Sequence, residues 1–357
     1  MTSPGNLHHT FYENDIPPGI QRLLEELYES PFCVMEYFKI FKGSNNPKAL
    51  SISSEESGTR HLLVYVISGR EITVLNELIH IRQCYLRYFA DTIFNRYEFI
   101  GTINFNCIRK MEMASNYPWR IWKKSHDIVI DLPKNFELYY STLSKHTRKN
   151  LNYYLGRVRK KYADFDFQVT STDDINPSVI GEIIRLNRLR MSSKNIRSGF
   201  TSLIEARITE FCRKYGSVGT ITLQGKIVAG AICYEIGNQA YLEIISHDPD
   251  FNNDRVGQLC LLLTIKHMIA KGDTTFHLLW GENEYKYRFL GVKQELFHLS
   301  FYRSNCYKLM SAPKLAKHYY HYFLKQIEYL FNTYVIGKLH KSISRAAVVR
   351  HDNEGAD

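Results

Sequence analysis

Apolar residues recur along this chain with two periods, and the changes between them mark out its elements. Over residues 20–42, IQRLLEELYESPFCVMEYFKIFK, spacings of three and four predict two short helices broken at Pro31. HLLVYVISGREITVLNELIHI then gives two β-rich runs flanking Ser68-Gly69-Arg70-Glu71, which predicts a hairpin. YLRYFADTIFNRY reads as a helix, EFIGTINFN as a strand, and SHDIVIDLP as a strand stopping at Pro133. A helical bridge follows, NFELYYSTLSKHTRKNLNYYLGRVRKKY, with Leu151, Tyr154, Leu155, Val158 and Tyr162 on one stripe. Lys145, Arg148, Lys149, Arg159 and Lys160 fall largely on another face, either a solvated basic surface or a docking surface for phosphates.

The second half has a clearer order. FDFQVTS is a strand, and VIGEIIRLNRLRM and LIEARITEFCRKYG are helices. Three strands follow, VGTITLQ, IVAGAICYEIG and QAYLEIISHD, with turns at Gly225-Lys226 and Gly237-Asn238. The loop PDFNNDRV leads to Gly257 and a helix closed by Lys271-Gly272. TTFHLLWG predicts a strand reaching Trp280, followed by a short helix and the strand ELFHLSFYRS. The first half repeats a similar helix, hairpin, helix, strand order, as two diverged copies of one fold would. After 312 a basic, aromatic amphipathic segment predicts a helix or helix pair that packs on its own protein or lies on a membrane surface. The last ten residues read as a frayed tail.

Composition narrows the classes. A chain of 357 residues exceeds one small core, so two domains are expected. Lys and Arg number 46 against 36 acids, a net charge of +10 that suits a phosphorylated cofactor, nucleic acid or an anionic membrane. The seven cysteines show neither metal nor redox spacing, and the fourteen histidines show no ligand spacing, which argues against metal catalysis. Cys233 and Cys260 lie in apolar runs and read as core. With no secretory signal and no apolar run of about 18 residues, a cytoplasmic protein without a transmembrane segment is expected.

Three stretches carry a family likeness: LSKHTRKNL, YLEIISHDPDFNNDRVGQLCLLLTIKHMIAKG and FHLLWGENEYKYRF. Together they resemble the GNAT superfamily of N-acyltransferases, and more closely its Fem-like branch, where two GNAT-like units share one chain. The likeness is strongest over 140–305 and fainter over 20–135. It implies an α+β, mixed α/β fold of two GNAT-like domains, each a mostly antiparallel mixed sheet flanked by helices. A degenerate unit would occupy 1–135, an acyltransferase unit 136–310, and a helical extension with a polar tail 311–357. The implied reaction moves an acyl group from acetyl-CoA or another acyl-CoA to an amine on a small metabolite, a glycan or a cell-envelope precursor. An acyl carrier protein is another possible donor. A charged tRNA is the donor in the Fem reaction itself, which transfers an aminoacyl group. A third reading is a non-catalytic module that binds an anionic polymer or touches a membrane peripherally.

The resemblance also proposes a site. Arg255, Val256, Gly257, Gln258 and Leu259 open a helix whose free N–H groups favour a phosphate, with Lys266 adding charge. The usual GNAT loop has two glycines there and this chain has one. Glu243, His247, Asp248, Glu282 and Tyr285 are candidates to carry the amine's proton, and Asp248 also to contact substrate. Lys286 would stabilise an oxyanion or grip a phosphate from the cleft rim, so its loss should slow turnover and leave stability alone. Relatives often carry an acid where this chain has His277, which implies a different acceptor or orientation. Asn187 and Arg190 would be acceptor contacts or part of a solvated helix face.

Overall fold

The computed structural model describes residues 7–313 other than 45, 56, 57, 59 and 110–114, with a few isolated positions as far as 327. The amphipathic segment expected after 312 lies almost wholly outside the described residues, as does the tail.

The chain opens with β1 (Leu7–Tyr12), α1 (Pro18–Tyr28), α2 (Met35–Lys42), β2 (Lys48–Ser54), β3 (Arg60–Ser68) and β4 (Glu71–Val74). Proline at the start of α1 has the preset φ a first helical position needs, and the helix ends at Glu29 in the left-handed region (φ 44°). Ser30 then accepts from Phe32 N and starts a buried single turn, Pro31–Cys33, which is the expected break. α3 (Gln83–Arg96), β5 (Thr102–Arg109) and β6 (Trp119–Asp131) complete the first half. The helical bridge is two helices, α4 (Phe136–Thr142) and α5 (Lys145–Lys161), because Ser144 accepts from Thr147 N and caps a fresh start. β7 (Asp166–Ser171), α6 (Pro177–Ser192), α7 (Ser202–Tyr215), β8 (Gly216–Leu223), β9 (Lys226–Ile236) and β10 (Gln239–His247) follow. Then come α8 (Val256–Lys271), β11 (Thr275–His277), α9 (Glu284–Arg288), β12 (Val292–Tyr302) and α10 (Asn305–Met310).

β11 has three residues, not the run to Trp280 that its apolar pattern predicts. Leu279 (φ 53°) and Gly281 (φ 87°) turn the chain out of the sheet, and apolar patterning carries no warning of that.

Among the described residues the twelve strands form one sheet, ordered β1-β2-β3-β4-β5-β12-β6-β11-β10-β9-β8-β7. Each half contributes an antiparallel run closed by one parallel pair, β4 with β5 and β10 with β11, the second strand reached through a helix. The last strand of each half is then exchanged. β12 lies beside β5, and β6 lies beside β11, with β6 and β12 paired antiparallel between them.

Strand alternation sets the core. On β9, Ala229, Ala231 and Cys233 face α5 and α8, while Ile232, Tyr234 and Ile236 face α6 and α7. The fold is therefore a mixed, mostly antiparallel sheet flanked by helices on both faces. Among the described residues no helix is long and apolar enough to cross a membrane.

Candidate active site

β10 and β11 pair only from Gln239–Tyr241 against Thr275–His277. Beyond that point β10 runs on to His247, and the chain after β11 turns aside. A register shift between Leu242 and Ile244 leaves Glu243 as the extra residue of a bulge. The wedge between the diverging segments is a cavity of about 340 Å³. Leu242, Glu243 and Ile245 line one wall; Leu278, Trp280 and Tyr285 line the other. α6 supplies Asn187 and Arg190, and the first half closes the cavity with Phe32 and Tyr37. Phe32 stacks on Trp280 with ring centroids 5.5 Å apart.

Glu243 is half-buried, and no hydrogen bond to its carboxyl is found among the described residues. Burial alone pushes its pKa up to about 7, so it can exchange a proton near neutrality. Tyr285 is half-buried on the opposite wall, its phenol raised by burial and opposed by the charge of Arg190.

Lys286 corrects the expectation of a reactive rim residue. It is 3% exposed, and its ammonium donates to the carbonyls of Leu278 (2.7 Å), Leu279 (3.1 Å) and Trp280 (2.6 Å). Those three carbonyls belong to the segment that leaves the sheet, so Lys286 stands in for the lost ladder partners. Burial lowers its pKa to about 8, against the pull of Asp127. All three donors are taken, so in this arrangement Lys286 holds a wall of the cavity that it also lines.

Glu282 is exposed and points outward, accepting from Tyr287 Oη (2.7 Å) and Lys293 Nζ (2.9 Å). It is not in the cavity. His277 is fully buried in the sheet, Nδ1 against Asp127 Oδ2 (2.6 Å) and Nε2 against Gln239 Oε1 (3.0 Å). Its ring stacks on Tyr241 at 4.2 Å, which leaves it no face for an acceptor. Asp248 accepts from Asp250 N (3.0 Å) and caps the turn Pro249–Asp254, a local role that occupies one carboxylate oxygen away from the cavity walls.

The expected phosphate anchor is only partly formed. Arg255 is exposed and left-handed (φ 54°) at the start of α8, and Gln258 is half-buried. Val256 and Leu259 are core residues. A Cβ on Gly257 would lie 2.6 Å from His247 Nδ1, so the space the glycine leaves is filled by that imidazole. His247 also donates from Nε2 to Asn252 Oδ1 (2.8 Å), and burial lowers its pKa, which keeps the ring neutral. It therefore stands at the helix start and outside the wedge walls. Lys266 lies nine residues further along α8, about 14 Å at helical rise, with its ammonium over the Phe136 ring. It adds no charge to the anchor.

Sequence reasoning missed Asp127, Phe32 and Tyr37. Asp127 meets His277 from the neighbouring strand β6, 150 residues distant in sequence. Nothing in local patterning signals that contact.

The model of the acetyltransferase (GNAT) domain family matches residues 145–287. The chain superposes on the crystal structure of FemX with TM-score 0.61 at 9% identity, covering 84% of this chain and 99% of that one. A conserved protein of unknown function from Bacteroides thetaiotaomicron gives TM-score 0.54 at 10% identity, over 82% and 100% of the two chains. A tandem GNAT protein from the clavulanic acid biosynthesis pathway gives 0.42 at 9% identity, over 82% and 98%. No curated protein matches the sequence. Residues 145–287 thus match an acetyltransferase (GNAT) domain, and the chain as a whole is similar in fold to FemX.

Proposed function

We propose that the wedge between β10 and β11 transfers an acyl group to an amine, with Glu243 as general base. The observation that carries this reading is a carboxyl with a pKa of about 7, unbonded and aimed into the cavity from a bulge. The donor carbonyl would lie between the diverging segments. The amine nitrogen attacks that carbon, Glu243 accepts the nitrogen's proton, and the carbon–sulfur bond of a thioester breaks. Tyr285 then gives its phenolic proton to the departing thiolate and is re-protonated from solvent. Lys286 keeps the wall in place by holding the carbonyls of 278–280.

For the donor, acyl-CoA is the first reading, acetyl-CoA or a longer chain, with its phosphates at Arg255 and the free N–H groups opening α8. The fit is incomplete, because His247 fills the notch at Gly257. That observation favours a second reading, an aminoacyl ester on a charged tRNA. α5 supports it with seven Lys and Arg residues and no acid. In that case a carbon–oxygen bond breaks and the ribose hydroxyl leaves.

A thermal-shift panel of acetyl-CoA, longer acyl-CoAs, CoA and charged tRNA tests the donor. A ligand at a hundred times its Kd should stabilise the protein by about 2.7 kcal/mol. A panel in which neither class shifts the midpoint would remove the acyltransfer reading.

A further inference from the structure

Three arginines on α6 behave differently. Arg185 makes a two-pronged pair with Glu182 (2.7 Å for each contact), and Arg188 reaches Glu205 (2.8 Å) and the Phe200 carbonyl (3.0 Å). Arg190 has no ion pair among the described residues, and its Nε is buried without a hydrogen-bond partner. It faces the cavity that Glu243 lines. Arg190 is half-buried, and leaving its buried Nε unpaired carries a free-energy cost that an anion in the cavity would reduce.

The two charges do not cancel each other. Arg190 acts on Tyr285 and on His247, whereas burial alone governs Glu243. One cation and one acid therefore line a single cavity. We infer that the acceptor is an amino acid or a molecule of similar size, its amine at Glu243 and its carboxylate on Arg190. The planar fork of Arg190 suits a carboxylate. A volume of about 340 Å³ accommodates such a molecule, and Phe32, Tyr37 and Trp280 give its apolar part a wall. This assignment rests on the acyltransfer reading and narrows its acceptor.

The test uses the full chain at pH 8, where Glu243 is ionised. Thermal shift and calorimetry are run with L-phenylalanine and L-lysine, their amides, phenethylamine and cadaverine, and separately with acetyl-CoA, CoA and inorganic phosphate. At least one amino acid should bind, and its amide and decarboxylated amine should each bind at least tenfold more weakly, since a charge-assisted pair is lost. Arg190→Gln should erase that preference while the shift given by the donor stays as in the wild type; circular dichroism confirms folding. Equal binding of acids and amides, or no binding by any of these amines, overturns the assignment. So does loss of CoA or phosphate binding in Arg190→Gln, which would place the arginine on the donor. Amino-acid preference with no shift from acetyl-CoA, CoA or charged tRNA in the wild type would keep this site and remove acyl transfer, so the two readings fail separately.

Discussion

The two parallel strand pairs of this molecule begin alike and end differently. β4 and β5 pair over Glu71–Val74, and β10 and β11 over Gln239–Tyr241, before each pair parts. In the first half the chain after β4 folds into its own gap. Leu75, Asn76, Glu77, Leu78 and Ile79 are all buried there. Asn76 accepts from Val64 N (2.7 Å) and donates to Leu62 O (3.3 Å), and Lys42 pairs with Glu77 (2.7 Å). In the second half the departing segment is tied from behind by Lys286, and the gap stays open with Glu243 unbonded. A splayed strand pair is thus only a frame. Whether it becomes a site depends on which side the backbone's polar groups are satisfied from.

The largest effect expected of that difference is on turnover. Glu243→Gln should lower it by about a hundredfold to ten-thousandfold, as removal of a positioned base does. Wild-type turnover should rise with pH through about 7, and the variant should lose that limb. The stability sign is fixed as well. The folded pKa of Glu243 lies above its ordinary value of 4.5, so its contribution is whole below pH 4.5 and is lost as pH rises through about 7. Glu243→Gln should therefore flatten the stability profile over that interval in urea titrations. A variant with wild-type turnover would make the open gap as inert as the filled one.

Lys286→Ala should cost stability by about 2–4 kcal/mol, because two buried carbonyls and one partly buried carbonyl lose a charged donor. Urea denaturation at pH 7 measures it. A variant of unchanged stability with impaired turnover would restore the reactive role that the motif suggests. Asn76→Ala should cost about 1–3 kcal/mol, from an unpaired Val64 N and Leu62 O, and leave turnover near that of the wild type. If it abolished transfer, the filled gap would also belong to the chemistry.

Long periodic elements were legible in the sequence, because α3, α6, α7 and α8 bury side chains in helical register and β8–β10 alternate between turn signals. The mixed, mostly antiparallel sheet followed from the family likeness of three stretches, the last of which carries the Tyr285-Lys286 run. What that run does was not legible. A lysine after a strand looks solvent-facing, yet the left-handed turn at Leu279 aims three carbonyls at it. His277 likewise has the local pattern of a substrate contact, yet its Nδ1 meets Asp127 on the neighbouring strand. Both misreadings have one physical source. Partners on a neighbouring strand, or across a turn of positive φ, leave no mark in local spacing.

The exchange of β6 and β12 also constrains the order in which the molecule can be completed. β5 and β6 emerge early from the ribosome, yet the strand that lies between them, Val292–Tyr302, comes near the end of the described chain. Until it arrives, two long strands hold unpaired edges and the first half cannot close its own sheet. The stretch 145–287 that matches the acetyltransferase family contains neither exchanged strand. Expressed alone it would leave β11 without its β6 neighbour, so any piece that keeps this pairing spans both halves.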